Sequence, residues 1–257
     1  THISKLKITP DLDSSSFAIT VSSADAKAVA NIKILDKDKV VAEATAPANK
    51  VANIPVANPK LWSPKSPFLY DLEITLSKDG RKVDEVKSYA GMRKFALKEL
   101  SKWANREFQL NNHKFFSFGL LDQGYWPDGL YTAPTDEALR FDIQKTKDFG
   151  FNSIRKHIKV EPARWYTYCD RMGIVVWQDM PAQFAGEYKQ WQPRSYFKGE
   201  TQKPNEWAAQ NYKKEWREII ESLESYPCIA MWVPFNENWG QFDTVEIAEW
   251  TKQLDPT

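Results

Sequence analysis

The residues in this chain best suited to chemistry lie in the stretch Met231-Trp232-Val233-Pro234-Phe235-Asn236-Glu237-Asn238-Trp239-Gly240-Gln241. An apolar run from Cys228 to Phe235 passes directly into an amide–carboxylate–amide cluster. Apolar character along such a run is that of a parallel strand covered on both faces, so Glu237 would emerge at its carboxyl end. That end is where α/β barrels carry their reactive groups. With Asn236 beside it and the indoles of Trp232 and Trp239 close in sequence, the Glu237 carboxyl would be held protonated and could act as a general acid. The competing reading is structural: polar residues after a strand often cap the following helix.

The elements that would position this cluster come in two kinds. Up to about Phe95, short alternating segments are separated by turn residues. His2 to Ile8, Ser16 to Val21, Val29 to Leu35, Val40 to Ala44, Val51 to Val56, Tyr70 to Leu76 and Val83 to Tyr89 read as strands, with Pro10-Asp11 and Lys78-Asp79-Gly80 among the turns. Seven short strands at this spacing predict an immunoglobulin-like β-sandwich over 1–95. The proline-bearing segment from Leu61 to Tyr70 would cross between its sheets. Ala96 to Glu107 reads as a connection.

From Phe115 onward, strand alternates with helix. Phe115 to Leu121 is an apolar strand. Thr135 caps a helix carrying Leu139, Ile143, Thr146 and Phe149 at helical spacing, with Asp136 and Glu137 in its first turn. Asn152 to Ile158 is a second strand, followed by a helix from Pro162 to Arg171 that Gly173 stops. Ile174 to Trp177 is a third strand, and a long polar and aromatic loop runs to Lys203. A helix to about Ser225 then leads to the strand that ends in Asn236-Glu237. Alternation of this kind predicts parallel βαβ units, so 96–257 reads as α/β, the first four βα units of a (β/α)8 TIM barrel.

Thirty-five basic and 34 acidic side chains leave no global field to attract nucleic acid or an anionic membrane. No apolar run approaches membrane-spanning length. No secretory leader is recognisable at Thr1. Cys169 and Cys228 make neither a disulfide framework nor a metal site. Eleven Trp among 257 residues is unusual; their flat faces suit sugar rings, although most will fill a core.

Taken together, several segments resemble glycoside hydrolase family 2, the family of β-galactosidases, β-glucuronidases and β-mannosidases. Asn58-Pro59-Lys60-Leu61-Trp62-Ser63-Pro64 and Gly91-Met92-Arg93 resemble its immunoglobulin-like middle domain. Leu110-Asn111-Asn112-His113-Lys114 resembles the start of its barrel. Arg155 to His157, with Arg164-Trp165-Tyr166 through Cys169-Asp170 to Gly173, resembles its second and third βα units. Asn236-Glu237 matches its acid/base pair on strand four.

That resemblance implies a retaining exo-β-glycosidase, with a β-galactosidase as the preferred reading. Glu237 would be the general acid and then the general base. Asn236 would bind the sugar hydroxyl at C2, and Asp179 would form a polar wall. Arg155 and His157 would bind sugar hydroxyls or hold carboxylates, a core pairing of His157 being the other option. Asp122 and Trp239 complete the expected substrate-binding set.

The pattern departs from the family in several places, one of them the first strand's end, Asp122-Gln123-Gly124-Tyr125-Trp126-Pro127-Asp128-Gly129, a local variation. Only Lys156 separates Arg155 from His157, where the family usually has two residues. The tail of strand three is Trp177-Gln178-Asp179-Met180-Pro181, where the family has an acidic pair followed by Ala-Asn. The family's nucleophilic glutamate, on strand seven, has no counterpart here, so the fragment alone is expected to be inactive. No metal and no cofactor are expected. The expected partner is an oligosaccharide or glycoside, with neither nucleic acid nor membrane, and the half barrel is expected to self-associate. Periplasmic or secreted use follows from the resemblance. A noncatalytic carbohydrate-binding or interaction module, using Trp177, Trp191, Trp232 and Trp239, is the alternative.

Overall fold

A computed structural model describes residues 1–100, 106–181, 206–236 and 241–257. Glu237, Trp239 and Trp191, and most of the loop that leads to Lys203, lie outside the described residues.

The first half forms two facing antiparallel sheets. One contains β1 (Lys5–Asp11), β2 (Ser16–Ser22) and, further along, β5 (Val51–Pro55), in the order β1-β2-β5. The other contains β3 (Val29–Asp36), β4 (Lys39–Pro47), β8 (Tyr70–Lys78) and β9 (Arg81–Ala90), in the order β4-β3-β8-β9. Two short strands, β6 (Trp62–Ser63) and β7 (Ser66–Pro67), make a small hairpin in the crossing segment.

Period-two patterning explains the core. Tyr70, Leu72, Ile74 and Leu76 on β8 face Phe17, Ile19 and Val21 on β2, and all are buried. The β8–β9 turn consists of Asp79 (φ 50°) and Gly80 (φ 75°), the left-handed pair that a two-residue hairpin needs. Pro10 and Asp11, expected to turn, instead complete the β1 ladder opposite Phe17 and Ser16.

Between the halves lies a sheet not foreseen from sequence. β10 (Phe95–Glu99), β11 (Arg106–Leu110) and β12 (His113–Lys114) form an antiparallel meander within the stretch expected to be a plain connection. Asn111 and Asn112, at φ 55° and 64°, turn β11 into β12. Alternation is weak there because β10 ends in three exposed residues.

The second half is a four-stranded parallel sheet, β13 (Gly119–Asp122), β14 (Ser153–Lys156), β15 (Val175–Asp179) and β16 (Ile229–Val233), in that order. The strands are followed by α1 (Asp136–Asp148), α2 (Ala163–Met172), α3 (Glu206–Leu223) and α4 (Thr244–Leu254) respectively. Thr135 caps α1 by accepting from Ala138 N, and Gly173 ends α2 at φ 71°. Phe149 departs from the expected apolar stripe: it is the C-cap of α1 and is 73% exposed.

β14 and β15 are largely buried, whereas β13 and β16 are more open. The expectation that the strand before Asn236 is covered on both faces is therefore met only in part: β16 is half-buried from Ala230 onward. Its register places it at one edge of the sheet.

Candidate functional site

The pleat sorts the residues near the carboxyl ends of the parallel strands into two sets. Lys156, Gln178 and Trp232 lie side by side in register and turn toward the helices. Lys156 Nζ lies 4.4 Å from the Trp165 ring, Gln178 accepts from Tyr166, and Trp232 packs edge-on against Trp216. Arg155, Trp177, Asp179 and Met231 belong to the opposite, inner face.

On that inner face three expected residues meet. Arg155 donates from Nε to Asp179 Oδ1 and from Nη2 to Asp179 Oδ2, both at 2.9 Å. The same Nη2 donates to Asn236 Oδ1, also at 2.9 Å. The planar fork matches a carboxylate bidentately, so one guanidinium joins the ends of β14, β15 and β16. Asp179 is 1% exposed and Asn236 is 8% exposed, while the Arg155 side chain remains 31% exposed. A guanidinium can only donate, so the atom of Asn236 facing it must be oxygen. The Asn236 amide NH2, on the residue immediately before Glu237 in sequence, is thereby turned away from Arg155.

The chain leaving β14 is strained. Ile158 has φ 45°, a left-handed conformation unfavourable for a β-branched residue, and its N–H points at Asp179 Oδ2 at 3.4 Å. Trp177 Nε1, on the inner face, is shielded from solvent and has no acceptor among the described residues.

Two expected residues sit elsewhere. Asp122 pairs in register with Lys156 and accepts from its ammonium at 2.7 Å, so it belongs to the helix-facing side. His157, just past β14, is 9% exposed and shares a 2.9 Å hydrogen bond between its Nδ1 and Gln123 Nε2. It has its own partner on the loop after β13 and, among the described residues, no hydrogen bond to the Arg155 cluster.

Lys156, Lys159 and Glu161 were missed as site candidates from sequence. Both ammonium groups are completely buried, and Glu161 Oε1 accepts from Lys156 at 2.9 Å and lies 3.0 Å from Lys159 Nζ. Lys159 also donates to Gly124 O. The available signal was a Lys-x-x-Lys-x-Glu run immediately after an apolar strand, where a solvated charge run is the ordinary expectation.

No group of three or more His, Cys, Asp and Glu residues converges as a metal site among the described residues. No helix among them is long and apolar enough to cross a membrane. A cleft of about 470 Å³ lies between β1, β9 and α3, lined in part by Lys5, Tyr89 and Glu221, away from the strand ends. Cys169 and Cys228 are free and buried, and burial pushes both thiols up from their ordinary range.

Comparison with known proteins places this geometry in context. The model described as "Glycosyl hydrolases family 2" matches residues 1–93, and the one described as "Glycosyl hydrolases family 2, TIM barrel domain" matches residues 105–257. A Formosa agariphila protein provisionally described as a β-glucuronidase is 33% identical over 233 residues, covering 88% of this chain and 21% of that protein. A β-galactosidase of Vibrio cholerae is 25% identical over 206 residues, covering 80% of this chain and 19% of its own length. The chain thus spans about a fifth of the curated relatives it matches. Among solved structures, a Ruminococcus gnavus β-glucuronidase in complex with D-glucaro 1,5-lactone superposes with a TM-score of 0.78. At 17% identity, over 99% of this chain and 41% of that one, it speaks for the fold alone.

Proposed function

Because the chain belongs to glycosyl hydrolases family 2, we propose that it is the immunoglobulin-like domain and first barrel half of a retaining exo-β-glycosidase that removes terminal β-linked sugars. The boundary between the two is placed near residue 95. Glu237 serves as acid/base, first protonating the departing glycosidic oxygen and then taking a proton from water. Asn236 donates its amide N–H to the sugar hydroxyl at C2. Arg155 and Asp179 hold that amide in place, and Trp239 belongs to the surrounding wall, whereas Asp122, paired with Lys156 on the helix-facing side, and His157, hydrogen-bonded to Gln123, stand apart from it. Retention needs a second, nucleophilic carboxyl about 5 Å from the first; because the chain spans about a fifth of its relatives, we assign that carboxyl to the remainder of the parent protein.

The single observation that carries this reading is the Arg155 fork, which joins three strand ends and turns the amide NH2 of Asn236, the residue before Glu237 in sequence, away from the guanidinium. A binding module would need no such link beneath its surface. A β-galactoside is the preferred substrate and a β-glucuronide the comparison, since the curated relatives carry both names.

The test is hydrolysis of aryl β-glycosides of both sugars by the complete enzyme and by this chain, each beside its Glu237→Gln variant. Activity of the complete enzyme that falls at least about a thousandfold on substitution, with none in the chain alone, is expected. An unchanged rate in Glu237→Gln would remove the assignment.

A further inference from the structure

The loop after β13 carries a second aromatic feature, apart from the Arg155 cluster. Residues 123–131 form a tight turn closed by reciprocal backbone hydrogen bonds between Trp126 and Leu130, at 2.8 and 2.9 Å. On its flanks Tyr125 and Tyr131 meet edge to face, with ring centroids 5.9 Å apart and planes at 70°. Tyr125 is 55% exposed and Tyr131 48% exposed.

The pair is held from beneath. The buried Lys159 ammonium lies 4.6 Å from the Tyr131 ring and 5.7 Å from the Tyr125 ring. It also donates to Gly124 O and pairs with Glu161. The Tyr131 hydroxyl accepts from Val160 N at 3.3 Å. Burying an ammonium under a surface loop is costly unless every partner is in place. Apolar side chains would fill the same space without that cost. What the ionic support adds is a loop fixed to the same strand extension that carries Arg155, with about half of each tyrosine left exposed.

We infer that Tyr125 and Tyr131 form a stacking subsite for the second sugar ring of a β-linked oligosaccharide, on the leaving-group side of the cleaved bond. The inference rests on the glycosidase reading above. Tyrosine rings offer an apolar face to the C–H side of a pyranose and a hydroxyl at their edge. Position favours the second ring over the first. The platform follows β13 and Asn236 follows β16, three strands away in the sheet order. At about 4.8 Å per strand that is roughly 10–14 Å on a curved sheet, farther than one pyranose spans.

The experiment compares Tyr125→Ala/Tyr131→Ala and Tyr125→Phe/Tyr131→Phe variants with the wild type in the complete enzyme. Substrates are a β-linked galactobiose and its glucuronosyl counterpart, each beside the matching glycosyl fluoride, which has no second ring. The alanine pair is expected to lose about tenfold or more in kcat/KM on the disaccharide, through KM, with the fluoride rate within about twofold. The phenylalanine pair should retain wild-type discrimination because the stacking faces remain. Equal losses on disaccharide and fluoride, or no loss on either, would overturn the subsite while leaving the glycosidase assignment intact. A complete enzyme that cleaves neither substrate removes both sugar assignments, and with them the subsite as stated here.

Discussion

Arg155 and Asp179 make an asymmetric pair, and the asymmetry can be measured. Asp179 is 1% exposed, and apart from the fork its only other donor among the described residues is Ile158 N at 3.4 Å. Truncation by Arg155→Ala therefore leaves a buried carboxylate with one poor hydrogen bond. Loss of one partner from a buried pair costs about 3–5 kcal/mol. Asp179→Asn keeps the volume and one acceptor oxygen. It strands only the guanidinium, which is 31% exposed and can hydrate, so about 1–2 kcal/mol is expected. In the double variant no carboxylate is left to strand, so its cost should fall well short of the sum of the two single costs. Urea unfolding of the chain, followed by circular dichroism and tryptophan fluorescence together, gives all three values. A loss below about 1 kcal/mol for Arg155→Ala, or strict additivity, would refute the geometry, because neither is compatible with a buried carboxylate that depends on Arg155.

Three further outcomes follow from the same structure. At Gly124 (φ 65°) an added Cβ would run into Glu161 Oε1 and stand 3.0 Å from Lys156 Nζ, so Gly124→Ala should cost about 2–4 kcal/mol in urea unfolding. Asp170 is buried at the junction of the two halves, and desolvation raises its carboxyl to about 7, against donors Tyr89 and Cys228 N and the nearby Arg93 that favour the charge. Its folded value lies above its unfolded one, so the folded state binds the extra proton between about pH 4 and 7 and stability falls as pH rises through that window. At about 1.4 kcal/mol per unit, the stability of the wild type relative to Asp170→Asn should drop by roughly 4 kcal/mol across it, as read by denaturation at stepped pH. Finally, Phe116, Phe118, Leu120 and Leu121 are 75%, 50%, 40% and 56% exposed along an open sheet edge. Self-association at tens of micromolar, an order-of-magnitude choice suited to weak contacts, is therefore expected in sedimentation velocity, and a clean monomer would count against it.

How far the sequence carries depends on what each pattern encodes. Alternation in Tyr70, Leu72, Ile74 and Leu76 reports a face, and that face is the core. Thr135 and Gly173 report local backbone geometry, and both caps form as read. Weak patterns fail: Phe95 to Glu99 has too little alternation to reveal a strand, and Pro10 sits in an edge strand, where a missing N–H is tolerated. Partners across strands are harder still. Arg155 stands opposite Trp177, two residues short of Asp179, and their pairing needs both the register and the length of the guanidinium stem. Asp122 reads as a site carboxylate by position, yet one step of the pleat assigns it to Lys156. Lys156 itself is invisible as a core residue because buried lysines are rare enough that a charge after a strand reads as solvated. Glu237 and Trp239 lie beyond the described residues, so their place in the site rests on Asn236 and on family membership.

The sandwich does more than precede the barrel, because its last residues take hold of the strand that leads to Asn236. Arg93, fully buried, donates to Pro227 O at 3.2 Å and to Ile229 O at 3.3 Å, which are the carbonyls at the start of β16. Gly91 lies so close to Pro227 that a Cβ would stand 2.8 Å from its ring. From the other side, Asp170 accepts from Cys228 N at 2.7 Å while its carbonyl accepts from Trp62 Nε1 at 2.8 Å and its carboxylate from Tyr89. Trp62 and Tyr89 belong to the sandwich, Asp170 to α2 and Cys228 to the approach to β16, so one buried residue ties three elements together. The start of β16 is thus fixed by the sandwich and its far end by Arg155 of β14. A five-residue strand pinned at both ends has little freedom to slide, and Asn236 inherits that constraint.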